Sequence, residues 1–558
     1  MPIVDELPRV EDRNACLRRV DWRFLLPDPA PARSLCLAGG LLGEAVASIS
    51  GRIKTDPNLG DACDLVVAVD PDVSTLRAAQ RTLAPGAWCY MEWHAPFAAG
   101  PRRIRGMLRA AGFDDVACFW PWPSPTRARF WIPLDRWGAP CHFRHLQRGG
   151  RTLVRRAGRA ARRILWPIAG WAQLLRPVCA IARKPPDSAF DASFERRALL
   201  DRVREGWPVW GLGPVPRSLS CLLVTEGRRS ISKCVALVFA GPDPRPRLAI
   251  KHPRVPEAVP ALAREATVLR TLHARHPGAF PGIPRIVFEE KRGAVTLLGE
   301  TALLGAPVNA VVHRGNYRDL ALKATTWLAD FAQRTARQPS ADWRERIAAP
   351  ALADFTDAFG AVADDGLLRR TRAAIASLGP LPVIVEQRDF SPWNVLIDSQ
   401  GELVVLDWES AELDGLPGLD LIYFLTYLAC ELDRVPYDTA SARLRESYRR
   451  ALDPASFTGR VRAECLALYA RRLGLDAATL PSLAALAWLI HSRSDYRQLA
   501  AEAGGPPDRT ALGRSAFLAF WEEEVRSASW TTRAGVSARH TRRPLPQQVG
   551  RSACTTRS

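Results

Sequence analysis

Lysine is scarce in this chain, although Lys and Arg together number 77. The basic residues are nearly all arginine, as a GC-rich genome would also produce. The 12 cysteines include no C-x-x-C pair, which excludes the common structural zinc and dithiol redox motifs. Single cysteines scattered along so long a chain fit a reducing compartment, each thiol a small core filler. No unbroken apolar run reaches membrane-spanning length. The longest, 164–182, is interrupted by Pro167, Arg176 and Pro177, so a transmembrane helix is not expected. With Trp166, Trp171 and flanking arginines the same run could lie on a membrane surface. A buried helix followed by a strand is the favoured reading, although periodicity alone does not separate the two. The opening MPIVDELPRVEDR is acidic and polar, unlike a secretory leader. The expected location is cytoplasmic, with a membrane-surface contact left open by the basic segment around Arg155.

What is present is ordinary for a globular protein: 558 residues, 47% apolar and 24% charged. That length suggests roughly three units. The formal net charge of +19 is concentrated between Arg144 and Lys184 and again after Arg526. Such a balance suits anionic partners such as nucleotides, phosphorylated sugars or anionic lipid. Nucleic acid is not expected, because neither zinc-finger spacing nor an RNA-binding aromatic signature occurs.

The pattern along the chain predicts six stretches: an N-terminal segment 1–31, an α/β domain 32–185, a connector 186–217, a small lobe 218–300, a helical lobe 301–527 and a basic, disordered tail 528–558. Within 32–185, DLVVAVD (64–70) reads as a buried strand, 76–83 as a helix and 84–94 as a turn and strand. Then 104–111 reads as a helix stopped by Gly112, and FDDVACFWPW as another strand. Such alternation implies a mostly parallel sheet. The connector, through Gly and Pro residues of 206–216, is expected to lack regular structure. From Ser218 the pattern changes to three strand-like runs, a helix over 257–276 and two further strands. Mostly helical sequence follows to about Ser527.

The chemistry is carried by QRDFSPWNVLID (387–398). Asp389 is followed five residues on by Asn394, then by an apolar strand, the tight turn SQGE and a second strand ending at Asp407. A loop with Asp and Asn therefore leads into a hairpin that returns a second Asp beside them. Phosphoryl transfer needs a carboxylate to orient and deprotonate the attacking hydroxyl, with an amide oxygen and a second carboxylate for magnesium. The D-x-x-x-x-N spacing followed by an Asp after a hairpin is the arrangement of kinase catalytic and metal loops.

This run resembles the aminoglycoside phosphotransferase and choline kinase family, in which H-G-D, four residues, N and an apolar hairpin end in I-D-W or I-D-F. The resemblance implies that Asp389 is the catalytic base, that Asn394 and Asp407 hold Mg2+, and that Asp420 in PGLDL is structural. It also implies an α+β, protein-kinase-like bilobal fold, ATP or GTP as phosphoryl donor, and a small-molecule hydroxyl acceptor such as a sugar, amino alcohol or aminoglycoside-like compound. The chain departs from the family where Gln387-Arg388 replaces His-Gly. Gln can still hydrogen-bond backbone groups; Arg388 is bulkier and cationic, and either touches the transferred phosphate or folds outward.

Upstream, RLAIKH ends an apolar strand on Lys251, in the A-I-K context where kinases place the phosphate-contacting lysine. Leu262, Ala266, Leu269 and Leu272 form the apolar stripe of the next helix, and Glu265 lies on the edge of that face. A carboxylate aimed at a core needs a partner, and Lys251 is the natural one. Glu257, at the helix start, is the alternative. Gly227, Ser230 and Ser232 in the turn GRRSIS offer donors to phosphate, or form an ordinary hairpin turn. The hinge is expected near 297–305. Trp408, Glu409, Glu412 and Asp414 are candidates for touching the acceptor.

The segment DLVVAVDPDVSTLRAAQRTLAPGAWCYMEWH, with LRAAGFDDVACFWPWP after it, resembles class I S-adenosylmethionine methyltransferases. Gly39, Gly40 and Gly43 stand where a cofactor loop belongs. Too few residues separate them from Asp64 for the intervening β-α units, each of which needs ten or more. The resemblance therefore implies a truncated Rossmann-like fold that is degenerate and unlikely to bind S-adenosylmethionine. Two other readings stand beside the phosphotransferase: a pseudokinase scaffold, and a methyltransferase with an appended kinase-like domain.

Overall fold

The computed structural model describes residues 10–57, 61–94, 100–134, 138–146, 177–187, 199–226, 232–292, 295–437, 440–503 and 505–527. The basic segment around Arg155, with Trp166 and Trp171, and the tail from 528 lie outside the described residues. Among the described residues no helix is long and apolar enough to cross a membrane.

The N-terminal strands β1 (Arg33–Cys36), β2 (Arg52–Lys54), β3 (Cys63–Val69) and β4 (Leu83–Trp93) are all parallel to their neighbours in the order β2-β1-β3-β4. Helices α2 (Gly40–Ile49) and α3 (Val73–Thr82) follow β1 and β3. Helix α3 starts at Asp72, whose side chain accepts from the Thr75 amide at 2.7 Å, a standard N-cap. Helix α4 (Pro101–Ala110) opens on a proline at its first position. It ends before Gly112, which takes φ +92°. The run CDLVVAV of β3 is buried on both faces, which is why it reads as continuous rather than alternating.

Beyond β4 the sheet turns antiparallel and does not stop. Strand β7 (Val178–Arg183) inserts between β4 and β5 (Asp114–Trp122), and β5 pairs with β6 (Phe130–Pro133). Strand β6 then pairs with β8 (Leu219–Val224) through Phe130↔Val224 and Trp131↔Leu223. Strands β9 (Lys233–Ala240), β10 (Pro246–Pro253), β12 (Val295–Thr301) and β11 (Ile286–Arg292) complete one 12-stranded sheet. The five strands expected after Ser218 thus continue the sheet of the preceding α/β layer.

The N-terminal helix α1 (Val10–Arg19) and a 3-10 turn, Asp21–Leu25, lie against this continuous sheet. Every residue of the turn is buried. Val20, Trp22 and Phe24 share one core with Tyr90, Trp131, Leu223, Ala236 and Ile250. The Trp22 ring stacks flat on Tyr90, 3.8 Å between centroids. Arg19 makes a forked ion pair at 2.6 and 2.7 Å with Glu92, which is 0% exposed.

One expectation fails in the connector. Instead of irregular chain, helix α6 (Leu199–Val209, with α5 at Gly138–Leu146 before it) runs through Pro208. Leu199, Val203 and Trp207, spaced four apart, are buried on the sheet, and this apolar stripe outweighs a proline confined to the last turn. Gly206 is needed because Trp210 folds back over it to stack on Phe288 at 4.1 Å.

Strand β10 leads through a 3-10 turn at Pro256–Ala258 into α7 (Val259–Arg275). A hairpin of β11 and β12 then passes into the helical lobe, built on α8 (Tyr317–Thr335), α9 (Ala349–Phe359), α10 (Asp365–Ser377), α11 (Leu419–Asp433), α12 (Ala442–Leu452), α13 (Phe457–Leu473), α14 (Thr479–Ala503) and α15 (Ala516–Arg526). The core of this lobe centres on α11, buried from Leu419 to Cys430. Two small sheets accompany these helices: Leu381–Glu386, which precedes the catalytic-type loop, pairs with Arg337–Ser340 and Glu412–Gly415, and the hairpin of Val395–Ile397 and Leu403–Val405 pairs with Ala306–Pro307.

Candidate active site

The register of the short hairpin explains how its acidic residues meet. Val395 pairs with Val405, Leu396 with Val404 and Ile397 with Leu403. The turn closes on Asp398, whose side chain accepts the amides of Gln400 and Glu402, both at 2.8 Å. Gly401 supplies φ +84° in that turn. One step outside the ladder, Leu406 N–H donates to the Asn394 carbonyl at 2.9 Å. Asp407 therefore comes back beside Asn394 and adopts φ +64°. Asn394 Nδ2 donates to Asp389 Oδ2 at 2.8 Å and to its backbone oxygen at 3.1 Å.

Gln387 is 1% exposed and acts as a staple. Its Nε2 donates to the carbonyls of Leu406 and Asp407 at 3.0 and 2.6 Å, and its Oε1 accepts the Asp389 amide at 2.8 Å. Asp420, in the first turn of α11, accepts the amides of Gln387 and Arg388, each at 2.8 Å. Burial and the charge of Glu386 push the Asp420 carboxyl up to about 7 against those two donors. Arg388 has φ +64°. Its side chain turns aside, 3.5 Å from Glu386 and 3.3 Å from Glu412.

Lys251 sits on β10 with Nζ 2.5 Å from Glu265 Oε1 and 3.0 Å from Glu300 Oε2. Ala249 pairs with Glu300 and Lys251 with Leu298, so the lysine reaches its second carboxylate diagonally across the ladder. Burial pushes the Lys251 ammonium down, but Glu265 and Glu300 hold it above the usual lysine range. Burial raises Glu300 to about 7 in spite of Lys251. Glu265 is 0% exposed, and its Oε1 also accepts the Trp408 amide at 2.7 Å. Glu257 lies in the exposed 3-10 turn before α7 and has no part in this network.

Sequence reasoning missed Lys233. It stands at the first position of β9 and lies against Asp407, with Glu409 at 2.7 Å and Glu265 at 3.9 Å. Two of the six lysines in the chain thus converge on one carboxylate cluster. The scarcity that singled out Lys251 applied equally to Lys233. Oxygens of Glu265, Asp407 and Glu409 lie within 4.8 Å of one another. Burial, then the charges of Asp407 and Glu409, push Asp389 up to about 8. Tyr423, stacked on His491 at 4.3 Å, also hydrogen-bonds the Asp389 side chain.

Of the acceptor candidates, Trp408 is excluded: it is 0% exposed in the core and donates Nε1 to the Val405 carbonyl at 3.0 Å. Glu409 faces Lys233, Glu412 faces Arg388 and Asp414 pairs with Arg337 and Arg346. Ser232 immediately precedes β9; Gly227 and Ser230 lie outside the described residues.

Residues 237–458 match the model of the phosphotransferase enzyme family, a span that holds Lys251, Glu265, Asp389, Asn394 and Asp407. Over that span the chain is similar to the phosphotransferase enzyme family. Comparison with curated proteins gives no match. Solved structures similar to the chain include a thermostable mutant of aminoglycoside phosphotransferase APH(4)-Ia in a ternary complex with ADP and hygromycin B. It has 14% identity over 58% of this chain and 98% of that one, with a TM-score of 0.35. An aminoglycoside phosphotransferase from Alicyclobacillus acidocaldarius has 17% identity over 54% of this chain and 88% of that one, TM-score 0.32. Spectinomycin phosphotransferase APH(9)-Ia, in complex with ADP and spectinomycin, has 12% identity over 59% and 98%, TM-score 0.32.

Proposed function

We propose that this protein transfers the terminal phosphoryl group of ATP or GTP to a hydroxyl of a small molecule. The observation that carries the reading is the convergence of Asp389, Asn394 and Asp407 on one hairpin, opposite the Lys251–Glu265 pair. Asp389, held by Asn394 and Tyr423, orients the acceptor hydroxyl and takes its proton. Lys251 and Lys233 face the place where phosphate charge gathers. Asn394 and Asp407 are the proposed magnesium holders, with Glu409 beside them. The donor set fits: it consists of hard oxygens, and Glu265 Oε2 is buried without a hydrogen bond. Magnesium, when bound with the nucleotide, neutralises charge on the phosphates.

We place the acceptor beside an aromatic cluster: Trp393 lies 5.1 Å from Tyr437 and 5.2 Å from Tyr427, and Tyr423 lies 4.7 Å from Tyr427. Flat aromatic faces suit a sugar or amino-alcohol acceptor. The N-terminal sheet is read as a scaffold: Trp22 and the Arg19–Glu92 pair fill the end of β4. Strand β2 is only three residues long.

A thermal-shift titration of the whole chain with ATP and GTP, with and without magnesium, tests the reading. A magnesium-dependent shift that Asp407→Ala removes supports it. No shift with either nucleotide replaces it with a scaffold that has lost phosphotransfer.

A further inference from the structure

The two phosphate-facing lysines stand on adjacent strands, and the opposite face of those strands is gripped by the N-terminal segment. Asp21 and Arg254 form a forked ion pair, Nε to Oδ1 and Nη2 to Oδ2, both at 2.9 Å, with both side chains 0% exposed. Arg254 follows Lys251 by three residues. Asp21 also accepts from the Cys234 thiol at 3.4 Å, and Cys234 is the neighbour of Lys233. Cys234 and His252 are register partners between β9 and β10. Arg23 donates to the Arg254 carbonyl at 2.6 Å, and the Phe24 ring lies 5.2 Å from His252. Leu17 of α1 packs on Val255 and Ala258, at the entry to α7.

We infer that the segment Val10–Leu26 is a positioning device for the phosphotransferase site, acting through Asp21 and Arg254. It fixes the exit of β10 and the start of α7, and so holds Glu265 against Lys251. A residue on a strand alternates faces, so a backstop beneath Cys234 and His252 sets the height of Lys233 and Lys251 above the sheet. An arginine fork grips a carboxylate in one geometry, so the contact fixes orientation as well as distance. Changing Asp21 takes the paired carboxylate from a guanidinium that is fully shielded from solvent. The inference rests on the phosphotransferase reading, and its test separates the two.

The experiment uses the full chain and compares wild type with Asp21→Asn, Asp21→Glu, Leu17→Ala, Lys251→Ala and the double variant Asp21→Asn/Lys251→Ala. Two readouts are taken: MgATP affinity from thermal shifts, and amide hydrogen exchange of 259–275 without nucleotide. Asp21→Asn is expected to weaken MgATP binding by on the order of 10-fold, a usual size for coupling between separate sites. It should also speed exchange across 259–275 while leaving 419–433 protected as in wild type. Asp21→Glu should recover part of both effects. In the Lys251→Ala background Asp21→Asn should cost no further affinity, because coupled residues are non-additive. If Asp21→Asn fails to fold, Leu17→Ala, which leaves no lone buried charge, should show the same direction at smaller amplitude. Folded variants with wild-type affinity and wild-type exchange over 259–275 overturn the inference, as does a loss that simply adds to that of Lys251→Ala. If wild type itself shows no nucleotide shift, the phosphotransferase reading fails. The positioning claim is then decided by exchange over 259–275 alone, where unchanged protection in Asp21→Asn overturns it.

Discussion

Glu265 and Trp408 are joined across the cleft: the carboxylate on α7 accepts the backbone N–H of Trp408 at 2.7 Å with the same oxygen that meets Lys251. The residue that steadies the lysine in the sheet also fixes the chain just past Asp407. Glu265→Ala removes two hydrogen bonds, each involving a charged group and each contributing about 1.5–3 kcal/mol. The expected result is a fall in kcat/KM of roughly 100-fold. Glu265→Gln keeps an acceptor for Trp408 and should lose clearly less. Steady-state kinetics decides, and equal damage from the two variants would mean that charge alone matters.

Asp389→Ala should cut turnover by roughly 100- to 10,000-fold, the usual contribution of a positioned base. Nucleotide affinity should stay within about threefold, since Asp389 is assigned to the acceptor hydroxyl and not to phosphate. Parallel measurement of kcat and of nucleotide Kd checks the split; matched losses in both would move Asp389 into the nucleotide site.

Lys233 is the counter-charge of Asp407 and Glu409. Lys233→Ala leaves three carboxylates facing one another within 4.8 Å. The variant should melt at lower temperature in chelator. It should gain more from added magnesium than wild type does, because a ligand that binds only the folded state stabilises it by mass action. A magnesium-induced shift no larger than that of wild type would rule out this role for Lys233.

Burial, reinforced by the Arg202 charge, pushes His252 down to about 3. The ordinary value is about 6.5. Between those limits the unfolded chain holds a proton that the folded chain refuses, so stability rises with pH across the window and levels off above it. Its share of the loss between pH 6.5 and pH 5 is about 2 kcal/mol. His252→Phe, which keeps a ring against Phe24, should flatten that part of the melting curve against pH. An unchanged slope would place the sensitivity elsewhere.

The candidate site was legible where it was local. Asp389, Asn394 and Asp407 stand within one loop and hairpin, and strand alternation fixes what a tight turn brings together. Lys251 and Glu265 were legible because a carboxylate on an apolar helix face requires a partner. Lys233 was not, since a lysine opening a strand looks like any exposed strand end until the chain folds over Asp407. Glu300 needed the register of β12 against β10. The helix through Pro208 was hidden because its Gly and Pro residues mask a stripe of only three apolar positions. The Asp21–Arg254 pair spans 233 residues, and no local pattern announces a contact of that range.

The pairing of β6 with β8 has a practical side. Among the described residues this uninterrupted sheet has two open margins, at β2 and β11. Cutting the chain between the α/β layer and the small lobe would turn β6 and β8 into new margins, and β8 is a strand buried along nearly its whole length. Its unpaired amides and carbonyls would offer a template to any neighbouring copy. A shortened catalytic fragment starting at Ser218 would thus be prone to stick to itself, and its inactivity would say more about that raw edge than about the residues in its cleft.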